Sequence, residues 1–365
     1  MFIKELKLHN FRNLQGEAVR FSPAVNFIYG NNAQGKTNLI EAVSLLSFAR
    51  SLRSQSIAEL PRWGQKSCSV FATIARSDSE FEAGVVIDNG SKTAYINGDR
   101  VSAVSDFVGK LLCVSFTPDD LQLVKGAPAE RRRFLDRHIS EAWPRFLHTL
   151  VSYSRALKNK SRLLSERRVN VSTIRPWNAI LAKNSHEILH KRRQFITDIQ
   201  ERINSIHSRF APADGELKLL LKTNLEEAGC EPDIGSLEGL FEASAQREID
   251  GRACFLGVHR DDLQIFIDCR DARLFASQGQ ARSITLSLKM AVVELLEKIS
   301  GESPVVLLDD LESELDNPRK EQLFDMILSH GRQVLITGTQ ASCGSEKLSA
   351  GHMQLEVAQG RITQR

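Results

Sequence analysis

The eight residues Gly30-Asn31-Asn32-Ala33-Gln34-Gly35-Lys36-Thr37 fit the pattern G-x-x-x-x-G-K-[ST], and they constrain the fold more than any other stretch of the chain. The pattern works only between a strand and a helix, and both are expected. Val25-Asn26-Phe27-Ile28-Tyr29 reads as a buried strand, and Asn38-Leu39-Ile40-Glu41-Ala42-Val43-Ser44-Leu45-Leu46 as a helix. That order turns backbone N–H groups and the positive end of a helix toward an anion. The whole loop from Gly30 to Thr37 is therefore a candidate cradle for nucleotide phosphates. Lys36 is the residue to reach the β- and γ-phosphates, and the Thr37 hydroxyl the one to bind Mg²⁺.

A second element completes such a site. Val305-Val306-Leu307-Leu308-Asp309-Asp310 is an apolar run ending in two acids, a Walker B pattern. A strand buried on both faces would present Asp309 beside the phosphate loop, where a carboxylate can hold Mg²⁺. Asp310 is then placed to orient or activate an attacking water. Lys36, Asp309 and Asp310 are the catalytic candidates, and Thr37 and Asp309 the metal ligands. Ser277-Gln278-Gly279-Gln280 opens a further helix, whose first N–H groups can also face an anion; an ordinary N-cap reads the same way. Lys36 and Asp309 lie 273 positions apart. Small P-loop kinases and GTPases have a much shorter separation, so a nucleotide-binding head interrupted by a large insertion is expected.

The organisation of the chain agrees. The N-terminal third is β-rich: Lys4–Leu8, Val70–Ala75 and Phe81–Ile87 read as strands, and Asp88-Asn89-Gly90 and Asn97-Gly98 as hairpin turns flanking Lys92–Ile96. From about Ala127 to Phe210 the pattern is helical, interrupted at Pro144 and Pro176, with the second helix expected to continue beyond Pro176. Two helices are expected there, one beginning at Phe146 and one after Asn170–Thr173, packed antiparallel. The C-terminal third returns to α/β. The net charge is only +3, but residues 151–210 hold thirteen Lys/Arg against four acids. Such a concentration fits a nucleic-acid partner, a solvated helix face being the other reading. No apolar run approaches the roughly 20 residues needed to span a bilayer, and the charged N-terminus is unlike a signal peptide. Six scattered cysteines with no C-x-x-C pair argue against a zinc site and suit a reducing cytosol.

The blocks together resemble the ABC-ATPase heads of the SMC class, and within that class the RecF family of bacterial recombination mediators. The resemblance runs nearly end to end: Asn10-Phe11-Arg12-Asn13, the phosphate loop, Arg50-Ser51-Leu52-Arg53, Phe116-Thr117-Pro118-Asp119-Asp120-Leu121, Gly126 to Asp136, His259-Arg260-Asp261-Asp262-Leu263, Ser277-Gln278-Gly279-Gln280 and Leu308 to Asp316. Three places depart from the family pattern. Ala33 stands where a glycine is usual, Val258 where a proline is usual, and Lys160-Ser161 in place of an Arg-Asn pair. Thr337-Gly338-Thr339 occupies the place where many ABC ATPases carry a switch histidine.

The resemblance implies an α/β fold: a P-loop ABC-type ATPase head with a mixed sheet and an antiparallel β subdomain, plus an inserted, mainly helical arm. The expected divisions are 1–120 and 251–365 for the two halves of the head and 121–250 for the arm. It further implies ATP and Mg²⁺ as cofactors and a homodimer in which Ser277, Gly279 and Gln280 of one copy cap the nucleotide held by the other. Asp316 would lie at the dimer interface, and Arg12 (with Arg53) near the nucleotide. Arg131, Arg132, Arg155, Lys158 and Arg162 are the DNA-contact candidates, an internal ion pair being the alternative for Arg131. The implied partners are duplex DNA and single-strand/duplex junctions, RecR and RecO, with no membrane and a cytoplasmic setting. The implied task is helping RecA load at gaps, with weak ATP hydrolysis. An SMC-type DNA tether or scaffold and an ABC transporter subunit are the alternative readings; the short helices, absent C-x-x-C hook and basic arm count against them.

Overall fold

The computed structural model describes residues 1–16, 18–51, 56–166, 168–226, 232–310, 317–328, 331–340 and 352–364. Arg53 and Asp316, both named above, lie outside these described residues. The chain forms two compact units. The first comprises Met1–Leu121, Ser205–Ala213 and Gln278–Arg365; the second comprises Gln122–Asn204 and Asp214–Ser277.

Among the described residues, the first unit holds two six-stranded sheets. One is mixed, in the order Arg361–Gln364, Met353–Ala358, Val25–Tyr29, Val334–Gly338, Val305–Leu308, Cys113–Phe116. All its neighbours pair in parallel except the terminal hairpin. Val305–Leu308, Val334–Gly338 and Cys113–Phe116 are buried at every position, as strands covered on both faces must be. The other sheet is antiparallel and runs Ala18–Arg20, Phe2–His9, Ser67–Ala75, Glu80–Asp88, Ser91–Ile96, Asp99–Arg100. Its two tight hairpins turn at Asn89-Gly90 and Asn97-Gly98, all four residues at positive φ, the conformation that matches strand twist in two-residue turns. The helix Lys36–Phe48 packs against both sheets. Leu39, Val43 and Leu46 from it join Ile3, Leu6, Val70 and Ile74 of the antiparallel sheet and Ile28, Leu307 and Leu335 of the mixed one in a single apolar core.

The second unit is mainly helical. Its described residues form the helices Pro128–Ala142, Phe146–Leu164, Ile234–Gly251 and most of Val171–Phe210, and a three-stranded sheet of Leu217–Lys222, Asp262–Ile267 and Arg270–Asp271. Residues after 250 belong here because Asp262–Ile267 pairs along its whole length with Leu217–Lys222. Pro144 separates two helices, and the helix Val171–Phe210 continues through Pro176 as expected. Pro176 sits in the second turn of that helix, where it removes one i→i−4 hydrogen bond and its ring crowds the carbonyl four residues back. The Asn170 carboxamide oxygen accepts from the Thr173 N–H at 3.0 Å and caps that helix. Phe146–Leu164 and Val171–Phe210 run antiparallel: Leu164 packs with Ile174, and Ser152 meets Asn184 at 3.0 Å.

Charge is also buried in this unit. Arg192 is 2% exposed and binds Asp136 through two nitrogens, Asp261 Oδ2 at 2.6 Å, and the carbonyl of Val258 at 2.8 Å. Lys160 pairs with Glu248, both fully buried. Tyr153 Oη lies 2.7 Å from His259 Nδ1, and burial holds the His259 imidazole down at about 4, so the ring is neutral.

Candidate nucleotide site

The strand Val25–Tyr29 ends in Gly30, and the helix Lys36–Phe48 begins directly after Gly35. Both glycines have positive φ, 150° and 120°. A side chain at Gly30 would meet the Val357 carbonyl at 2.2 Å, and one at Gly35 would meet Asn13 Oδ1 at 2.7 Å. Neighbours clamp the loop from two sides. The Asn13 amide donates to the Gln34 carbonyl at 3.0 Å and accepts from Asn38 at 2.8 Å. The turn at Gln359-Gly360 donates both its N–H groups to Gln34, at 2.6 Å to Oε1 and 3.1 Å to the carbonyl.

Ala33 has φ 64°, so the loop does require the left-handed conformation where the family pattern has glycine. For an alanine that conformation costs about 1 kcal/mol. The variant Ala33→Gly is expected to raise the unfolding midpoint of the protein by roughly 1–3 °C. An unchanged or lower midpoint in calorimetry would mean that Ala33 is not strained.

Lys36 Nζ donates to the carbonyls of Gly30 at 2.6 Å and Asn31 at 2.9 Å. Burial holds its ammonium below the usual lysine value, and the nearby Asp310 and Asp309 carboxylates counter this only in part. Thr37 Oγ1 donates to Asp309 Oδ1 at 3.1 Å, which joins the loop to a residue 272 positions away. Asp309 is buried, and its N–H donates to the Phe116 carbonyl at 2.8 Å. Asp310 is exposed and has φ 50°.

Arg12 has its guanidinium on Glu41, a buried residue of the helix that follows the loop, with two bonds of 2.9 Å. Its third donor goes to the Glu59 carbonyl at 2.7 Å. The geometry therefore gives Arg12 a clear partner in bracing the first turns of that helix. Sequence reasoning gives no site role to Glu41 or the Gln359-Gly360 turn, and it names Asn13 and Thr337 only as members of family segments, without their partners. The apolar alternation Leu355, Val357 ahead of Gln359-Gly360 is the available signal for the terminal hairpin.

Ser277 and Gln278 are exposed at the start of the helix Gln278–Ser300, with Gly279 and Gln280 in its first turn. Just ahead of them, Lys125 Nζ binds the carbonyls of Ala272, Arg273 and Ala276. Within the helix, Lys289 pairs with Asp120 and donates to the Ser115 carbonyl, so the Phe116–Leu121 block anchors the helix that Ser277 precedes. Of the basic candidates, Arg131 is 3% exposed and binds Asp262 at 2.7 and 3.0 Å. Arg132 donates to the Asp261 carbonyl at 2.7 Å. Arg155, Lys158 and Arg162 are exposed on Phe146–Leu164, at a spacing that puts them along one side of the helix.

A strand–loop–helix cradle with a buried acid at the end of a parallel strand defines a P-loop ATPase-type head. The RecF/RecN/SMC N terminal domain profile matches residues 2–359. The DNA replication and repair protein RecF of Lachnoclostridium phytofermentans is 33% identical over 343 residues, 93% of each chain. Among solved structures, the recombination mediator protein RecF with ATP in the RecFOR pathway superposes with a TM-score of 0.91 at 29% identity, covering 100% of this chain and 97% of that one. An Smc head bound to the C-winged helix domain of ScpA shares the fold, with a TM-score of 0.57 at 14% identity over 100% and 98% of the two chains. The chain belongs to the RecF/RecN/SMC N-terminal domain family and, within it, to the RecF branch. The mixed sheet, the antiparallel subdomain and the helical insertion are those of an SMC-like ABC-type head.

Proposed function

We propose that the protein is an ATP-dependent DNA clamp: two copies close around ATP and retain DNA. The observation that carries this reading is the contact between Thr37 and Asp309. It gathers the phosphate loop and the Walker B acid into one metal-binding corner. The residues fit ATP·Mg²⁺. Glycines admit the close backbone approach that phosphates need, and a hydroxyl and a carboxylate form the oxygen donor set that Mg²⁺ prefers. When bound, Mg²⁺ neutralises charge on the β- and γ-oxygens. Lys36 Nζ would swing from the Gly30 and Asn31 carbonyls to those oxygens. Thr37 and Asp309 would hold the cation, and Asp310 would orient water for slow hydrolysis.

Ser277, Gly279 and Gln280 of a second copy would cap the γ-phosphate, with Asp316 crossing the same interface. Leu274 and Phe275, 70% and 67% exposed beside Ser277, are apolar surface that a second copy would cover. Exposed Arg155, Lys158 and Arg162 are the proposed DNA contacts, and Arg131 is better read as the internal partner of Asp262. Relatives carry the name DNA replication and repair protein RecF, which supports a role in those processes. The proposed role is loading of RecA at single-strand gaps and junctions in the cytoplasm, with RecR and RecO as partners. The test is gel filtration with duplex DNA, with and without ATP. Nucleotide is expected to shift the protein to a DNA-bound dimer; elution unaffected by ATP would refute the clamp.

The arm carries a prediction of its own. Replacing Arg155, Lys158 and Arg162 together by Gln should weaken duplex binding about ten-fold or more at moderate salt. It should also flatten the slope of log K against log salt by about 1 for each phosphate that is no longer neutralised. A fluorescence anisotropy titration at several salt concentrations reads both. An unchanged slope would put the DNA-binding surface elsewhere.

A further inference from the structure

Thr337 lies at the C-terminal end of the strand Val334–Gly338, which pairs on one side with Val25–Tyr29 and on the other with Val305–Leu308. It is 1% exposed. In parallel sheets ligands bind at this end of the strands. Its hydroxyl donates to Asp309 Oδ1 at 2.8 Å and accepts from the Asp310 N–H at 2.9 Å. One side chain thus holds the Asp309 carboxylate and the backbone of Asp310, just past the strand Val305–Leu308. The same Oδ1 also accepts from Thr37 at 3.1 Å. A hydroxyl that binds a cation through a lone pair keeps its O–H, so Thr37 can ligate the metal and still donate to Oδ1. The Thr337 bond involves no ligand hydroxyl at all and holds the same oxygen from the adjacent strand. Asp310 has φ 50°, a left-handed turn that needs support because it is outside the common backbone regions. The Thr337 oxygen supplies that support at its N–H.

We infer that Thr337 is a positioning residue for the metal end of the site: it fixes the Asp309 carboxylate toward the cation and the backbone turn that aims Asp310. The inference rests on the reading of Thr37 and Asp309 as Mg²⁺ ligands. It also gives a role to the segment that stands where many ABC ATPases carry a switch histidine. A partner of a ligating carboxylate sets the ligand's orientation and basicity, and losing such a partner typically costs about ten- to a hundred-fold in metal affinity or activity.

The experiment is a titration of a fluorescent ATP analogue against the full chain, first in EDTA and then with increasing Mg²⁺. Thr337→Val keeps the volume and removes the hydroxyl; Thr337→Ser keeps the hydroxyl. Thr337→Val is expected to raise the Mg²⁺ concentration at half effect about ten-fold or more, leave affinity in EDTA unchanged, and melt cooperatively. Thr337→Ser is expected to restore the wild-type Mg²⁺ midpoint. Should the Val variant not fold, Thr337→Ala carries the same readout. A wild-type Mg²⁺ midpoint in the variant lacking the hydroxyl overturns the inference. So does an equal loss with and without Mg²⁺, or a Ser variant as impaired as the Val one. Absence of nucleotide binding by the wild-type protein is a separate result, and it overturns the reading of the site itself.

Discussion

Lys36→Ala is expected to abolish ATP binding at concentrations that saturate the wild-type protein, while leaving the fold intact. The ammonium is the single cation of the loop positioned to meet two phosphate groups. Charge-assisted hydrogen bonds are worth about 1.5–3 kcal/mol each, so losing two weakens binding by roughly two to four powers of ten. The folded protein loses little. The two bonds of Nζ go to loop carbonyls at the surface of the site, and burial already disfavours the charged amine there. Isothermal titration calorimetry with ATP and a thermal melt of the same sample separate the two effects. Undiminished ATP binding would mean that the phosphate loop is not where the nucleotide binds; a collapsed melt would make Lys36 a residue of the fold.

The largest effect on stability is expected at Arg192. Arg192→Met should destabilise the protein by about 3–5 kcal/mol, the usual cost of removing one partner from a buried charge group. The methionine fills most of the space. What remains is Asp261, fully buried, and Asp136, both stripped of the guanidinium that neutralised them. Burial already holds both carboxyls above the usual carboxylate range even with Arg192 in place. Without it they shift further upward. A carboxyl whose folded pKa is raised is favourable in its protonated form, so its penalty is absent in acid and grows as pH rises through the folded value. The deficit of Arg192→Met should therefore be smaller in mildly acidic urea than at neutral pH. A deficit independent of pH would mean that lost packing, not stranded charge, is the cause.

Much of this is legible in the sequence, for physical reasons. A phosphate loop needs glycines at fixed positions, and an Asn-Gly pair between apolar runs forces a hairpin; both signals are local. The strands Val305–Leu308 and Val334–Gly338 are visible because strands buried on both faces are continuously apolar. What sequence reasoning does not resolve depends on distant partners. Arg131 sits in a run of three arginines, and only the fold shows that Asp262 takes its charge. The basic residues of the arm look alike in sequence, yet Lys160 and Arg192 are buried with acids while Arg155 and Lys158 face solvent. The strand Leu217–Lys222 escapes sequence reasoning although Asp214-Gly215 marks a turn before it, because its apolar run is short and it pairs with a strand far along the chain. The share of Thr337 in the site is hidden for the same reason: its partners are brought together by register, not by spacing.

The central claim is that each nucleotide site is built from two copies, Lys36 from one and Ser277 from the other. The direct measurement mixes two defective proteins, Lys36→Ala and Ser277→Arg, and follows ATP-dependent association by sedimentation velocity. A mixed pair contains one intact composite site, formed by Lys36 of the second variant and Ser277 of the first. The expected result is an ATP-dependent dimer in the mixture and none in either variant alone. A mixture as inert as its components, with both proteins folded and the Ser277 variant still binding ATP, would contradict a site shared between copies.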